Sequence, residues 1–412
     1  MRRSLCYLSQ LRNSISSNRP YAGYLNYMKE GLYILMDNHT NHGDSTVQSS
    51  ALPHAAVTPS PRKKKKLLHI EFLRILCIWL VMFTHSATSG FSLYIPMQHS
   101  RWFPLYILVP FWVKISVPIF FMISGALLLG KDEPISVVFK KRIWRFSQVL
   151  VTFSFISYVA VYRNLNLVNF ATLTYTSTLA TAYYFLYLYL AFLLMLPIWR
   201  ALTRSMTNTL YLYLIGLNLF FVGFIPVFSF LIFKGSAEMN YFLNPLLAVS
   251  EPSFYFITGY WIEHVLPESW LTRKNLIRLG AMAGTLIAAT MTWYHGYIAG
   301  GITEENSQRF YDSFLFLNTA FVFCCARYWF THHTVSERTR KILTTLGSLS
   351  FGVMLFEEIT RNITRPILDR VLLKYSPHTP FIDAVIWICI AFALGLVITY
   401  VVKKLPYFRT LI

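Results

Sequence analysis

The chain of 412 residues is 55% hydrophobic and 17% aromatic but only 13% charged, with a mean hydropathy of +0.46. A soluble domain carries roughly 25% charged residues, so this composition excludes an ordinary water-soluble protein and reads as an all-α, polytopic membrane chain. The net charge of +19 would suit nucleic acid, yet most Lys and Arg fall in alternate loops and the two tails, which makes anionic membrane lipid the expected partner and argues against nucleic acid.

Residues 1–66 differ in character from everything after them. A short mixed piece, YAGYLNYMKEGLYILM, precedes a polar tract too poor in apolar side chains to offset its ordering entropy, which predicts a disordered, basic cytoplasmic tail. Met28 and Met36 are alternative starts, and no cleavable signal peptide is legible.

Ten apolar windows follow, at about 67–89, 108–130, 144–163, 183–203, 209–232, 244–264, 275–298, 313–331, 342–363 and 382–402. Lys114 and Pro118 interrupt the second, so a short interfacial helix over 103–112 fits before that span. Cations alternate between the loops. RKKKK (62–66), KKRIWR (140–145), Arg200 with Arg204, TRKNLIR (272–278), SERTRK (336–341) and Lys403 with Lys404 share one side, and the other is nearly bare until TRPILDRVLLK (364–374). By the positive-inside rule both termini are cytoplasmic, leaving a ten-helix bundle over 67–402 and a tail over 403–412. Gly280 and Gly284 read as a helix-packing face.

The five cysteines, Cys6, Cys77, Cys324, Cys325 and Cys389, make neither a CxxC pair nor a metal spacing. His39, His42 and His54 are too loosely spaced for a metal, and His332 and His333 read as solvated loop residues. No metal is expected.

The first span, EFLRILCIWLVMFTHS (71–86), contains three ionisable groups. Each costs about 2.5–3.5 kcal/mol near a helix centre. From Arg74 to His85 is eleven residues, about three turns plus roughly 20°, so both project from one face about 16 Å apart. Glu71 lies one turn before Arg74, close enough to neutralise it. Snorkelling to the interface would account for Glu71 and Arg74; the face shared with His85 points to function.

These residues resemble the acyltransferase 3 family of integral-membrane acyltransferases, whose first span carries an acid three residues before an arginine, then ten residues, then a histidine. Glu71, Arg74 and His85 match. VPIFFMISGALLL (117–129) is similar to the family's second-span signature through Ser124 and Gly125, and KKRIWRF (140–146) to its RxxR through Arg142 and Arg145. YYFLYLYLAFLLMLP (183–197), with Tyr187 and Pro197, and FITGYWI (256–262) resemble later family stretches in the same order. The closest likeness is to the small single-module branch that includes enzymes acetylating enterobacterial common antigen. LSFGVMLFEEI (349–359) departs from the family by placing Met354 where members often have tyrosine and Glu357 where they have histidine.

The resemblance implies an inner-membrane O-acetyltransferase with acetyl-CoA as co-substrate, no permanently bound cofactor, and a surface glycan or its lipid-linked precursor as acceptor. Such chemistry needs a base for the acceptor hydroxyl, donors for the oxyanion and cations for the CoA phosphates. His85 is then either general base or transient acyl carrier, Arg74 holds the cofactor end of the path, and Glu71 fixes Arg74. Arg142 and Arg145, three apart, suit phosphate, with Lys141 and Ser124 beside them; the alternative for the cations is topology-setting charge. Lys114 either snorkels outward or faces the cavity near His85. Glu251, beside Pro252, fits a broken helix lining a cavity, Glu357 offers a further proton acceptor, and Tyr187 is a candidate for substrate contact. A secondary transporter and a lipid-linked-sugar glycosyltransferase are the rival readings. Against them stand the lack of internal repeats and of an acidic sugar-nucleotide motif in a large loop.

Overall fold

The structure, a computed structural model, describes residues 67–412 except 164, 234–238, 241–242, 249–250, 298–310 and 376–379. The tail expected over 1–66 lies outside the described residues. The described residues are 83% helical and contain no strand.

Helices α1 (Leu68–Thr84), α2 (Phe103–Leu128), α3 (Ile135–Ala160) and the short α4 (Leu167–Thr176) lead into α5 (Tyr184–Ser205) and α6 (Asn208–Ser229). After them come α7 (Glu251–Tyr260), α8 (Arg273–Tyr297), α9 (Leu315–His332), α10 (Glu337–Tyr375), α11 (Pro380–Val402) and α12 (Pro406–Leu411). Each apolar window holds a helix, and among the described residues six of these, α2, α3, α5, α6, α10 and α11, are long and apolar enough to cross a membrane. Helix α2 is broken at Ile107 and again at Lys114 and Ile115. Pro118 falls in the first turn of its last segment, where a missing N–H costs no helical bond. The expected tail over 403–412 instead forms α12, with Leu411 buried.

Helix α1 sits at the centre, packed by α2, α9, α10 and α11. That position explains a sequence apolar on nearly every side: Ile70, Leu73, Cys77, Ile78 and Met82 are each 2% exposed or less. Helix α5 is two-faced in a different manner. Leu186, Leu193 and Leu196 face inward, while Leu194, Ile198 and Leu202, four residues apart, remain exposed. A surface helix in water would carry charge on that outer stripe; aliphatic side chains there match a lipid solvent.

Hydrocarbon tails are as apolar as leucine, so association of such helices relies on close van der Waals fit. The junction of α2 and α7 supplies it. A Cβ on Gly125 would overlap the Phe256 carbonyl, and one on Gly259 would overlap the Met122 backbone. The motifs VPIFFMISG and FITGYWI are thus two halves of one backbone-to-backbone contact. The GxxxG of α8 is used only at one end: a Cβ on Gly280 would press on the Phe321 ring, whereas Gly284 faces open space.

The turn after α2 is tied down by charge. Glu133 accepts from Arg142 Nε at 2.9 Å and Nη2 at 2.6 Å, and from Arg200 Nη2 at 3.0 Å. Arg200, read from sequence as a loop cation, is buried and also donates to the Leu128 carbonyl at 3.0 Å. The Arg142 guanidinium, helped by Arg200, holds the Glu133 carboxyl at about 2, below its ordinary 4.5.

Two outcomes follow from this packing. Gly259→Leu forces α2 and α7 apart and is expected to lower the melting temperature in detergent by an amount matching about 1–3 kcal/mol or more; an unchanged melting curve would contradict the contact. For Glu133, a lowered pKa means stability that is complete above about 4.5 and lost as pH falls towards about 2. The acid-induced fall in melting temperature over that window should therefore be smaller in Glu133→Gln than in the native chain.

Candidate active site

Helix α1 ends at Thr84, and His85 is its C-cap, with φ −78° and ψ 3°. The turn brings the imidazole against α10. Its Nδ1 lies 2.9 Å from Oε1 of Glu357, a residue 272 positions away. Arg361, one turn further along α10, donates from Nε to the same oxygen at 2.6 Å and from Nη1 to the His85 carbonyl at 3.4 Å. The Glu357 side chain is 0% exposed, and its Oε2 has no hydrogen-bond partner among the described residues. A carboxylate buried so completely needs a countercharge, which Arg361 supplies. With the carboxylate accepting from Nδ1–H, the tautomer leaves Nε2 as the basic nitrogen of His85.

Near the start of α1 a second acid and base pair up. Arg74 Nη1 donates to Glu71 Oε1 at 3.3 Å; the acid is buried, while the guanidinium is partly exposed. Gly347 of α10 makes room for this carboxylate, since a Cβ there would overlap Glu71 Oε2.

Three cavities lie along this axis. The first, of about 430 Å³, is bordered by Arg74, Lys131, Lys141, Arg142 and Arg145, with no acid on its wall. Ser124 lines it too, its hydroxyl donating to the Phe120 carbonyl at 2.8 Å. Arg142 enters from a π-helical turn over Val138–Ile143, a local widening often found at functional positions. Arg145 donates to the Leu411 carbonyl at 3.2 Å, so α12 forms part of the rim.

The second, a chamber of about 50 Å³, is bordered by His85 and shares Phe120, Phe185 and Met354 with the first. The third, of about 220 Å³, shares Thr84, Val117 and Tyr184 with the chamber and is bordered by Lys114 and Glu251. The Lys114 ammonium also sits 5.6 Å from the centre of the Tyr311 ring. Asp312 interacts electrostatically with both Lys114 and Glu251.

The structure thus gathers Arg74, Ser124, Lys141, Arg142 and Arg145 at one cavity, Lys114 and Glu251 at another, and His85 with Glu357 between them. Glu71 does not line the first but adjoins two residues that do, Arg74 and Gly347. Tyr187 stays apart: its hydroxyl donates to the Thr174 carbonyl at 2.7 Å, and it borders none of the three. Sequence reasoning missed Arg361, although a Glu and an Arg four apart inside an apolar helix carry that signal. It also missed a buried cluster in which His69 Nε2 lies 3.0 Å from Glu263 Oε2 and Arg327 binds Glu268 and the Ile262 carbonyl.

Chemically, a cation-lined space suits a polyanionic ligand, and an imidazole backed by a carboxylate suits proton or acyl transfer. Comparison with known proteins agrees. No curated protein and no solved structure matches the chain. A family model described as an acyltransferase domain, that of the acyltransferase 3 family, matches residues 67–404. The chain belongs to the acyltransferase 3 family and is a membrane acyltransferase.

Proposed function

We propose that this chain is an inner-membrane O-acetyltransferase that takes acetyl from acetyl-CoA at the cytoplasmic face and delivers it to a hydroxyl of a surface glycan or its lipid-linked precursor. On this reading the bundle spans the membrane ten times with both termini in the cytoplasm. The observation that carries it is the position of His85, in a small chamber between a cavity walled by five cations and a cavity walled by Lys114 and Glu251.

The donor would place its phosphates among Lys131, Lys141, Arg142 and Arg145. Arg142 spends two of its N–H groups on Glu133, and a guanidinium has five, so it retains donors for phosphate. The thioester end would point towards Arg74 and the chamber. Attack by an acceptor hydroxyl then requires loss of its proton, which His85 Nε2 accepts as Glu357 stabilises the imidazolium. The alternative course, in which Nε2 itself carries the acetyl group across before the acceptor takes it, uses the same geometry.

His85→Ala is expected to abolish acetyl transfer while membrane levels stay intact, read by mass spectrometry of surface glycans and by free thiol released from acetyl-CoA; an active variant would remove histidine from the mechanism. Glu357→Gln should lower kcat by about 100-fold or more, and a native rate would leave the carboxylate a structural role only. Arg142→Ala should raise the donor KM with little change in kcat. An unchanged KM would return Arg142 to a role in topology.

A further inference from the structure

Phe120, Phe185 and Met354 border both the cation-lined cavity and the His85 chamber, so whatever passes between the two passes these side chains. They form an apolar wall. The two phenyl rings lie 5.8 Å apart, and Phe185 is further braced by Phe121 at 5.2 Å and Tyr189 at 5.8 Å. Met354, 4% exposed, is the unbranched and adaptable member of the three. The opposite boundary of the chamber differs: Thr84 and Tyr184, shared with the outer cavity, bear hydroxyls. The chamber therefore presents hydrocarbon on the side of the cationic cavity and a mixed boundary, two hydroxyl-bearing side chains with Val117, on the side of the outer cavity.

Its size is the second observation. A volume of about 50 Å³, at roughly 10–15 Å³ for each water-sized group, holds about three to five such groups. An acetyl group has three non-hydrogen atoms and an octanoyl group nine. Val81 and Ala182, the latter buried, close the remaining walls, and a longer chain would have to run on past Thr84, Val117 and Tyr184 towards the outer cavity.

We propose that Phe120, Phe185, Met354 and Ala182 act as an acyl-length filter, admitting a two-carbon acyl group to His85 and excluding medium-chain acyl groups. This rests on the reading of the cationic cavity as a CoA site. The filter sorts donors by the space behind the apolar wall, and the cations hold every CoA ester alike by its phosphates. Met354, which stands where family members often have tyrosine, is its adjustable element.

The test uses the full chain purified in detergent, with CoA, acetyl-CoA and octanoyl-CoA as probes and binding read by thermal shift across a concentration series. The native chain is expected to bind acetyl-CoA at least about 10-fold more tightly than octanoyl-CoA. Met354→Ala should bring the two within about 3-fold, each read as a ratio to CoA on the same variant because Met354 also borders the cationic cavity. Ala182→Val fills the chamber and should weaken acetyl-CoA relative to CoA, which gives an independent arm if Met354→Ala does not fold. Octanoyl-CoA binding as tightly as acetyl-CoA in the native chain, or both variants changing all three probes in parallel, would overturn the filter while leaving the CoA site standing. Failure of all three probes to bind would overturn the CoA site and the filter together.

Discussion

A fully buried carboxylate, Glu357, is the constraint around which the centre of this protein is arranged. Taken out of water it must find positive charge or hydrogen-bond donors, and it finds both within one oxygen's reach, from Arg361 on its own helix and from His85 across the interface. The link ties the end of α1 to α10 and sets Nδ1 as the imidazole nitrogen that faces the carboxylate. The return bond from Arg361 to the His85 carbonyl closes the arrangement into a ring of three residues. Removing Glu357 or Arg361 would leave the other with unmet charge in a low-dielectric interior.

Much of this was legible in the residue order. Ten apolar windows located the helices because helix length and bilayer thickness are both fixed quantities. The spacing of Arg74 and His85 put them on one face, and the structure has Arg74 on the wall of the cationic cavity and His85 on the adjoining chamber. The motif glycines were visible as letters, but their purpose was not. Only when α2 and α7 are set side by side does it emerge that Gly125 and Gly259 serve one contact.

What stayed hidden is what arises between distant segments. A pairing across 272 residues, such as His85 with Glu357, leaves no trace in local periodicity. Likewise Arg200 read as a loop cation, and only the folded chain turns it inward to a carbonyl and a carboxylate. Tyr187 is the reverse case. Its place in a family-like stretch suggested contact with substrate, whereas its hydroxyl is occupied in joining α5 to the end of α4.

The Glu133 carboxylate on Arg142 has a consequence for selectivity. Glu133 does not itself line the cationic cavity, but it is already seated on Arg142, one of the guanidiniums on that cavity's wall. A single small anion arriving at Arg142 would gain only what the resident carboxylate leaves over. A ligand with several negative charges would draw on Lys131, Lys141 and Arg145 as well, so the layout favours multiplicity of charge over a single ion.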